Sequence, residues 1–250
     1  MPDTTLFGGL DPELTARVLS RREALFRTGK MASVVALASM PVAFGVMAKD
    51  AFAQGTLPQP IIDVLNFALT LEYLEDEFYR TALETSSVIP GETQPVFAQI
   101  SRHESAHVTL LEGALGSSAV AKPSFDFTAN GMFDPFNDYT EFLALSQGFE
   151  DTGVRAYKGQ AANLMSQDAL LQIALQIHSV EARHAAEVRR IRGLRGWITG
   201  SQNDVPALQP TYAGEDAANG SFTSAAQAEA FDEPLTKEAV LAIATPFIVA

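Results

Sequence analysis

A short metal-ligand pattern occurs twice in this sequence, and it constrains the fold more than any other feature. Glu104 and His107 are three residues apart, and so are Glu181 and His184. Residues three apart on a helix project from the same face, so each pair can hold one metal ion. One such pair arises often by chance on a charged helix, whereas two copies in one chain are a much stronger signal.

Each pair is preceded by a single glutamate at nearly the same distance. Glu72 lies 32 residues before the first pair, and Glu150 lies 31 residues before the second. A tyrosine follows each of these glutamates by seven residues, Tyr79 in the first case and Tyr157 in the second. The sequence therefore predicts two copies of the same helix pair.

Apolar residues recur at helical spacing in four segments, which predicts four long helices. These run from Pro60 to about Thr85, from about Thr93 to Gly116, from about Asp138 to Leu164, and from a Ser166 cap to about Trp197. A glutamate interrupts the apolar stripe near the middle of each helix. Burying unpaired carboxylates is costly, and a pair of metal ions compensates for it.

The connection between the second and third helices is long and shows no helical period. It covers residues 117–137 and contains Phe125, Phe127 and Phe133, with Phe136 close behind. A connection of this length in a compact domain usually has a structural role, such as joining helices that are not adjacent at their ends. We predict that it crosses along an all-α four-helix bundle, with the phenylalanines sealing the bundle.

The C-terminal part of the sequence differs in composition from the predicted bundle. Residues 198–222 are rich in Gly, Ser, Asn, Gln and Pro, whereas Thr236–Thr245 predicts a short helix capped by Thr236. The apolar residues 246–249 suit docking on the bundle or on a partner subunit, which leaves a homo-oligomer open. We divide the chain into an export signal (1–53), a bundle (54–200) and a C-terminal extension (201–250).

Two glutamate-histidine pairs and two single glutamates form a constellation typical of di-iron and di-manganese bundle proteins. The chain has no cysteine, so histidine and carboxylate are its strong ligands. The predicted metal ligands are Glu72, Glu104, His107, Glu150, Glu181 and His184. Buried salt bridges to Arg102, Arg155 and Arg183 are the alternative, but those arginines fall off the ligand stripes.

Five further residues are candidates for supporting roles. Glu75 shares a helix face with the first single glutamate and is able to replace or join it. Tyr79 and Tyr157 are candidates to hydrogen-bond ligand carboxylates or to supply electrons. His103 is predicted to lie on the surface or behind a ligand, and His178 is a candidate extra ligand or a donor to one.

The N-terminal region reads as an export signal. Arg21 and Arg22 precede a weakly apolar stretch, residues 31–48, and residues 51–53 (Ala-Phe-Ala) suit a small-residue cleavage site. This predicts a twin-arginine signal, a mature chain starting at Gln54 and a periplasmic or otherwise exported protein. The alternative is a retained membrane anchor, although the stretch is a poor span, and no stable span is expected after cleavage.

The charge balance argues against nucleic acid as a partner. The chain has 17 basic and 30 acidic residues. Phosphate binding needs clustered Lys and Arg, and the sequence shows no such cluster past the N-terminal region.

Four segments carry a resemblance to a known family: residues 71–79 (LEYLEDEFY), 103–107 (HESAH), 149–157 (FEDTGVRAY) and 180–184 (VEARH). They resemble the exported ferritin-like domain family, some members of which are described as desiccation- or stress-related. The resemblance covers about residues 58–200, and residues 233–236 (EPLT) also resemble this family. It implies a ferritin-like four-helix bundle and, by position, the six ligands above.

These observations together predict an exported di-metal carboxylate protein. We expect two iron ions, dioxygen or peroxide as the small-molecule partner, and a role in iron oxidation or peroxide protection under stress. A di-manganese catalase is the alternative enzyme, because the same oxygen-rich ligands accept manganese. A ferritin-like structural or interaction module, with the site empty or only stabilising, is the non-enzymatic alternative.

Overall fold

The computed structural model describes residues 57–85, 87–201, 205–217 and 223–249 of the chain. The predicted export signal in residues 1–53 lies outside these ranges. Within them, no helix combines the length and the apolar character needed to cross a membrane.

Four long helices dominate the described part of the chain. They are α1 (Gln59–Thr85), α2 (Gln94–Leu115), α3 (Tyr139–Gln160) and α4 (Asp168–Ile191). α1 packs mainly on α2, α3 packs mainly on α4, and α1 also contacts α3. The predicted all-α four-helix bundle is therefore confirmed, and the two sequence repeats correspond to the two helix pairs.

Local sequence signals set most of the helix ends. Pro95 lies in the first turn of α2. Asp138 caps α3, because its side chain accepts hydrogen bonds from the backbone N–H groups of Thr140 and Glu141. α2 ends before Gly116, which has a φ of 52°, a conformation that glycine adopts without steric cost.

The predicted bounds of α4 are wrong at both ends. The predicted Ser166 cap does not form, because α4 begins at Asp168 and no side chain caps its first turn. The helix ends at Ile191 and not near Trp197. Gly193, with a φ of 74°, turns the chain away before the predicted end.

The long connection between α2 and α3 packs on the aromatic core of the bundle. It includes the short strand β1 (Ser124–Phe125). The ring of Phe127 lies 5.2 Å from that of Phe78 on α1, and the ring of Phe136 lies 5.8 Å from it. All four predicted phenylalanines belong to or pack against this core, so the prediction that they seal the bundle is confirmed.

The C-terminal part contains more regular structure than its composition suggests. Its elements are a 3-10 helix (Pro206–Tyr212), α5 (Ser224–Ala230), α6 (Lys237–Ala244), a second 3-10 helix (Thr245–Phe247) and strand β2 (Ile248–Val249). Thr236 caps α6 by accepting a hydrogen bond from the backbone N–H of Ala239, as its sequence predicts. The predicted short C-terminal helix is thus present.

The apolar C-terminus docks on the bundle. β2 pairs antiparallel with β1, and the ring of Phe247 lies 5.0 Å from that of Phe149 on α3. The sequence left this segment a choice between the bundle and a partner subunit. The contacts with Phe149 place it on its own chain.

α3 is buried on nearly all sides because the C-terminal part covers its outer face. The guanidinium of Arg155 donates to the backbone carbonyls of Thr211 and Ala213 and pairs with Glu215 at 2.9 Å. Past its last residue, α3 continues as a 3-10 helix, Ala161–Leu164, where the sequence predicts one uninterrupted α-helix. The C-terminal part, by covering the outer face of α3, keeps water from the side of the bundle that carries Glu150.

Candidate metal centre

The bundle brings all six predicted ligands together in its interior. Each of the four glutamates is fully buried, and the two histidines are 8% and 5% exposed. In the order of the chain these residues are Glu72, Glu104, His107, Glu150, Glu181 and His184. One residue or pair comes from each of the four long helices, which is what the helical spacing requires.

The six residues form two overlapping groups of possible ligands. Position 1 consists of Glu72, Glu104, His107 and Glu181, whose ligand atoms lie within 4.8 Å of one another. Position 2 consists of Glu104, Glu150, Glu181 and His184, by the same measure. Glu104 and Glu181 are therefore shared, and Glu72 and Glu150 each belong to one position.

Distances at position 1 match the spacing of ligands around one ion. His107 Nδ1 lies 3.1 Å from Glu72 Oε2, 3.0 Å from Glu104 Oε2 and 3.2 Å from Glu181 Oε1. An octahedral ion with ligand bonds of about 2.1 Å separates neighbouring ligand atoms by about 3.0 Å. These atoms are close enough to share one ion.

Position 2 has a similar arrangement and uses the other oxygens of the shared carboxylates. His184 Nδ1 lies 2.9 Å from Glu104 Oε1, 3.1 Å from Glu150 Oε2 and 3.8 Å from Glu181 Oε2. Glu104 and Glu181 thus each turn one oxygen toward each histidine. Carboxylates in this arrangement are able to bridge two ions, so the cluster is compatible with a di-metal carboxylate site.

Two tyrosines hold the unshared glutamates from the opposite helix pair. The Tyr79 hydroxyl on α1 donates to Glu150 Oε1 on α3 at 2.5 Å. The Tyr157 hydroxyl on α3 donates to Glu72 Oε1 on α1. Each tyrosine fixes one carboxylate oxygen and leaves the other facing a histidine. The tyrosine that follows the single glutamate of one repeat therefore contacts the single glutamate of the other repeat.

The protonation of the metal-free centre is set by burial and by the two imidazoles. Burial raises the pKa of Glu72 to about 8. Burial alone would lower the pKa of His107, but Glu72 and Glu104 raise it well above its ordinary value. Burial would raise the pKa of Glu181, but the neighbouring imidazoles of His107 and His184 lower it far below its usual range.

The shared carboxylates hold oxygens that regular hydrogen bonds do not satisfy. Within the described ranges, both oxygens of Glu181 and Oε1 of Glu104 are buried and accept no hydrogen bond of regular geometry, although imidazoles lie beside them. Buried carboxylate oxygens without partners are costly. Metal ions would satisfy them, so these residues fit two bound ions.

The alternative of buried salt bridges to arginine does not match the geometry. Arg155 pairs with Glu215 of the C-terminal part, Arg102 donates to Gln99, and Arg183 contacts Ser179. In the described part of the chain, the ion pairs of the four ligand glutamates involve only the two histidines. The arginines thus lie off the ligand stripes, as the sequence predicts.

Glu75 is buried beside the centre but belongs to neither group. It is 3% exposed, and burial followed by the charge of Glu181 raises its pKa well above the ordinary value. A Cβ atom on Gly153 would lie 3.3 Å from Glu75 Oε1 and 3.5 Å from Glu181 Oε2. The glycine in α3 therefore leaves room for both carboxylates.

The two remaining histidines lie in different surroundings. His103 Nδ1 is 2.8 Å from His184 Nε2, and the two rings lie edge to edge in nearly one plane, with centroids 5.1 Å apart. Burial, then the charge of His184, lowers the pKa of His103 to about 4. His178 lies outside both ligand groups and hydrogen-bonds the backbone of Val154, so the structure does not bring it to the ions.

A buried polar network next to Glu150 was missed in the sequence. Arg189 donates to Asp151 at 2.7 Å, the Tyr212 hydroxyl donates to the same carboxylate, and Gln147 donates to Tyr212 at 3.0 Å. The network ties α3 to α4 and to the C-terminal part. No local signal could identify it, because Tyr212 lies 61 residues from Asp151 in the chain.

The two positions open toward different surroundings. The ring of Tyr157, whose hydroxyl holds a ligand of position 1, lines an apolar cavity of about 20 Å³ between the four long helices. His184 of position 2 lines a surface groove between α2 and α4, together with Gln99, His103 and Arg183. Position 1 therefore borders a small apolar cavity, whereas position 2 lies beside an open surface groove.

Comparison with known proteins adds a family match. The family model described as "Ferritin-like domain" matches residues 61–194, a range that includes all six ligands. A search of curated proteins found no match.

Proposed function

The chain belongs to the ferritin-like domain family, and on that premise we propose that its buried centre holds two iron ions and reacts with dioxygen or peroxide. The physiological role we propose is iron oxidation or protection against peroxide under oxidative stress. The observation that carries this proposal is the pair of four-ligand groups that share Glu104 and Glu181.

The residues around the ions have separable roles in this proposal. Bound ions supply redox and Lewis-acid chemistry at the centre. Glu104 and Glu181 would be shared by the two ions, and Tyr79 and Tyr157 fix the orientation of the unshared carboxylates. Each ion would be held by four protein residues, and a small molecule such as dioxygen or peroxide would complete its ligands.

Iron is our choice over manganese, although ligand type alone admits both. Each terminal carboxylate has a buried tyrosine in hydrogen-bond contact, Tyr79 or Tyr157, and these phenols are placed to supply electrons to the centre. A di-manganese catalase remains the competing outcome of the test below.

The first experiment is elemental analysis of protein purified from its native source. We expect about two iron ions per chain, oxygen uptake on adding Fe(II) to metal-free protein, and loss of both in the Glu104→Gln, Glu181→Gln double variant. The matched control is Glu84→Gln, an exposed glutamate on α1. Correctly folded native protein without metal would overturn the proposal, and manganese with peroxide dismutation would replace it by the catalase.

We further propose that the chain is exported through a twin-arginine signal. The support is the arginine pair, Arg21 and Arg22, before an apolar stretch and a small-residue site. Twin-arginine systems carry folded cargo, so the protein could take up its ions before crossing. Mass spectrometry of the exported protein should find Gln54 at the N-terminus, and replacing both arginines with lysine should retain the full-length chain inside the cell.

A further inference from the structure

The two metal positions differ in what lies behind their histidines. At position 2, His184 turns Nδ1 toward the carboxylates and Nε2 toward His103 Nδ1, 2.8 Å away. His103 Nε2 in turn lies 2.5 Å from the side-chain amide of Gln99. When His103 Nδ1 accepts a hydrogen bond from His184, Nε2 carries the hydrogen and would donate to the amide oxygen of Gln99 after a flip of that amide. At position 1, the contacts of His107 in the described residues all involve its Nδ1.

The sequence contains the same asymmetry. His103 directly precedes Glu104 in the first glutamate-histidine pair, and the matching residue before Glu181 in the second pair is Val180. A valine side chain has no atom that forms a hydrogen bond. The residue of the second repeat that corresponds to His103 therefore cannot form this hydrogen bond.

A hydrogen bond behind a metal-bound histidine changes how that histidine binds. A neutral imidazole that binds an ion through Nδ1 carries its hydrogen on Nε2, so His184 would donate to His103 Nδ1. Such a partner fixes the tautomer and the ring orientation and increases the basicity of the ligand nitrogen. The planes of the two rings differ by 9° and the rings meet edge to edge, which is the geometry of an in-plane N–H···N hydrogen bond.

We propose that His103 is a positioning residue that makes the two metal positions unequal, so that position 2 binds its ion more tightly than position 1. This inference rests on the two-ion centre proposed above. His103 and His184 line the same groove between α2 and α4, so the contact between them lies at the surface end of position 2. Position 2 is then the first to fill, and position 1 is the more weakly held.

The test uses Mn(II) alone, titrated into metal-free protein and followed by calorimetry and by the electron paramagnetic resonance signal of free Mn(II). Variants with one remaining position separate the two affinities: Glu72→Gln retains position 2, and Glu150→Gln retains position 1. His103→Val, which copies the residue of the second repeat, should weaken Mn(II) binding about 10- to 100-fold in the Glu72→Gln protein. The same change should leave binding in the Glu150→Gln protein unaltered.

Two further variants separate the hydrogen bond from packing. His103→Phe keeps an aromatic ring against His184 but removes both nitrogens, so it should weaken position 2 as His103→Val does. If circular dichroism shows that His103→Val is unfolded, His103→Phe replaces it as the test of the hydrogen bond. His178→Phe replaces a half-buried histidine outside both groups and should change neither affinity.

The outcomes distinguish this inference from the function it rests on. If the unaltered protein binds no Mn(II), the two-ion centre itself is wrong. If that protein binds two ions but His103→Phe weakens neither position, or weakens both equally, the proposed role of His103 is overturned while the centre stands. Weakening confined to position 2 supports it.

Discussion

Replacing one shared and one unshared glutamate tests the geometry of the centre directly. Glu104→Gln removes a carboxylate from both positions, because its two oxygens face His107 and His184. Glu72→Gln removes a carboxylate from position 1 alone. Glutamine keeps the size of the side chain, so the two variants differ mainly in how many ions they affect.

The expected difference is large enough to measure by thermal unfolding. A metal ion at 100 times its Kd stabilises the folded state by about 2.7 kcal/mol per site. The unaltered protein should gain about 5 kcal/mol from two ions, Glu72→Gln about 3 kcal/mol, and Glu104→Gln close to none. For a domain of this size these gains correspond to increases in Tm of about 15 °C and about 8 °C for the first two proteins.

The metal-free variants should differ as well. Burial raises the pKa of Glu72 to about 8, so this side chain is largely neutral at pH 7 and glutamine resembles it. Glu104 has a lowered pKa because His107 and His184 outweigh the effect of burial, so it is ionised. Replacing it removes one carboxylate from beside each of the two imidazoles, so the metal-free Glu104→Gln protein should be less stable than the metal-free Glu72→Gln protein.

The assay combines melting curves with and without Mn(II) and metal content by elemental analysis, with Glu84→Gln as the control for a surface charge. Equal metal content and equal Tm shifts in Glu104→Gln and Glu72→Gln would refute the reasoning. That result would mean that no carboxylate is shared between two ions.

Three further predictions follow from the same geometry. Tyr79→Phe leaves a buried oxygen of Glu150 without its donor and should lower the unfolding free energy of the metal-free protein by about 1–3 kcal/mol, measured by urea titration. The folded-state pKa of Glu72, about 8, exceeds its ordinary 4.5, so the folded state holds a proton that the unfolded chain releases. The stability of the metal-free protein should therefore fall as the pH rises from about 5 to about 8, Glu72→Gln should flatten this fall, and an unchanged slope would contradict the assignment. Gly159→Ala would place a Cβ atom 1.9 Å from the backbone oxygen of Leu235, so the C-terminal part should detach from α3 and be cleaved faster in limited proteolysis, whereas unchanged cleavage would show that the backbone yields there.

The sequence by itself determined the four long helices and the six buried ligands. Both depend on local spacing: apolar residues at helical intervals define the buried face, and a glutamate with a histidine three residues later lies on that face whatever the helix packs against. The sequence predicted the ends of the helices less accurately than their positions. Gly193 stopped α4 earlier than its apolar stripe predicts, and Ser166 did not become a cap.

Only the tertiary structure decided how the candidate ligands are divided between the two positions. Which carboxylates are shared depends on the rotation and offset of one helix pair against the other, and no spacing within a single helix records it. The crossed contacts of Tyr79 and Tyr157, the contact of His103 with His184 and the docking of Phe247 on Phe149 join residues far apart in the chain. They form because packing buries these groups together, and buried polar groups must then find their partners across the bundle.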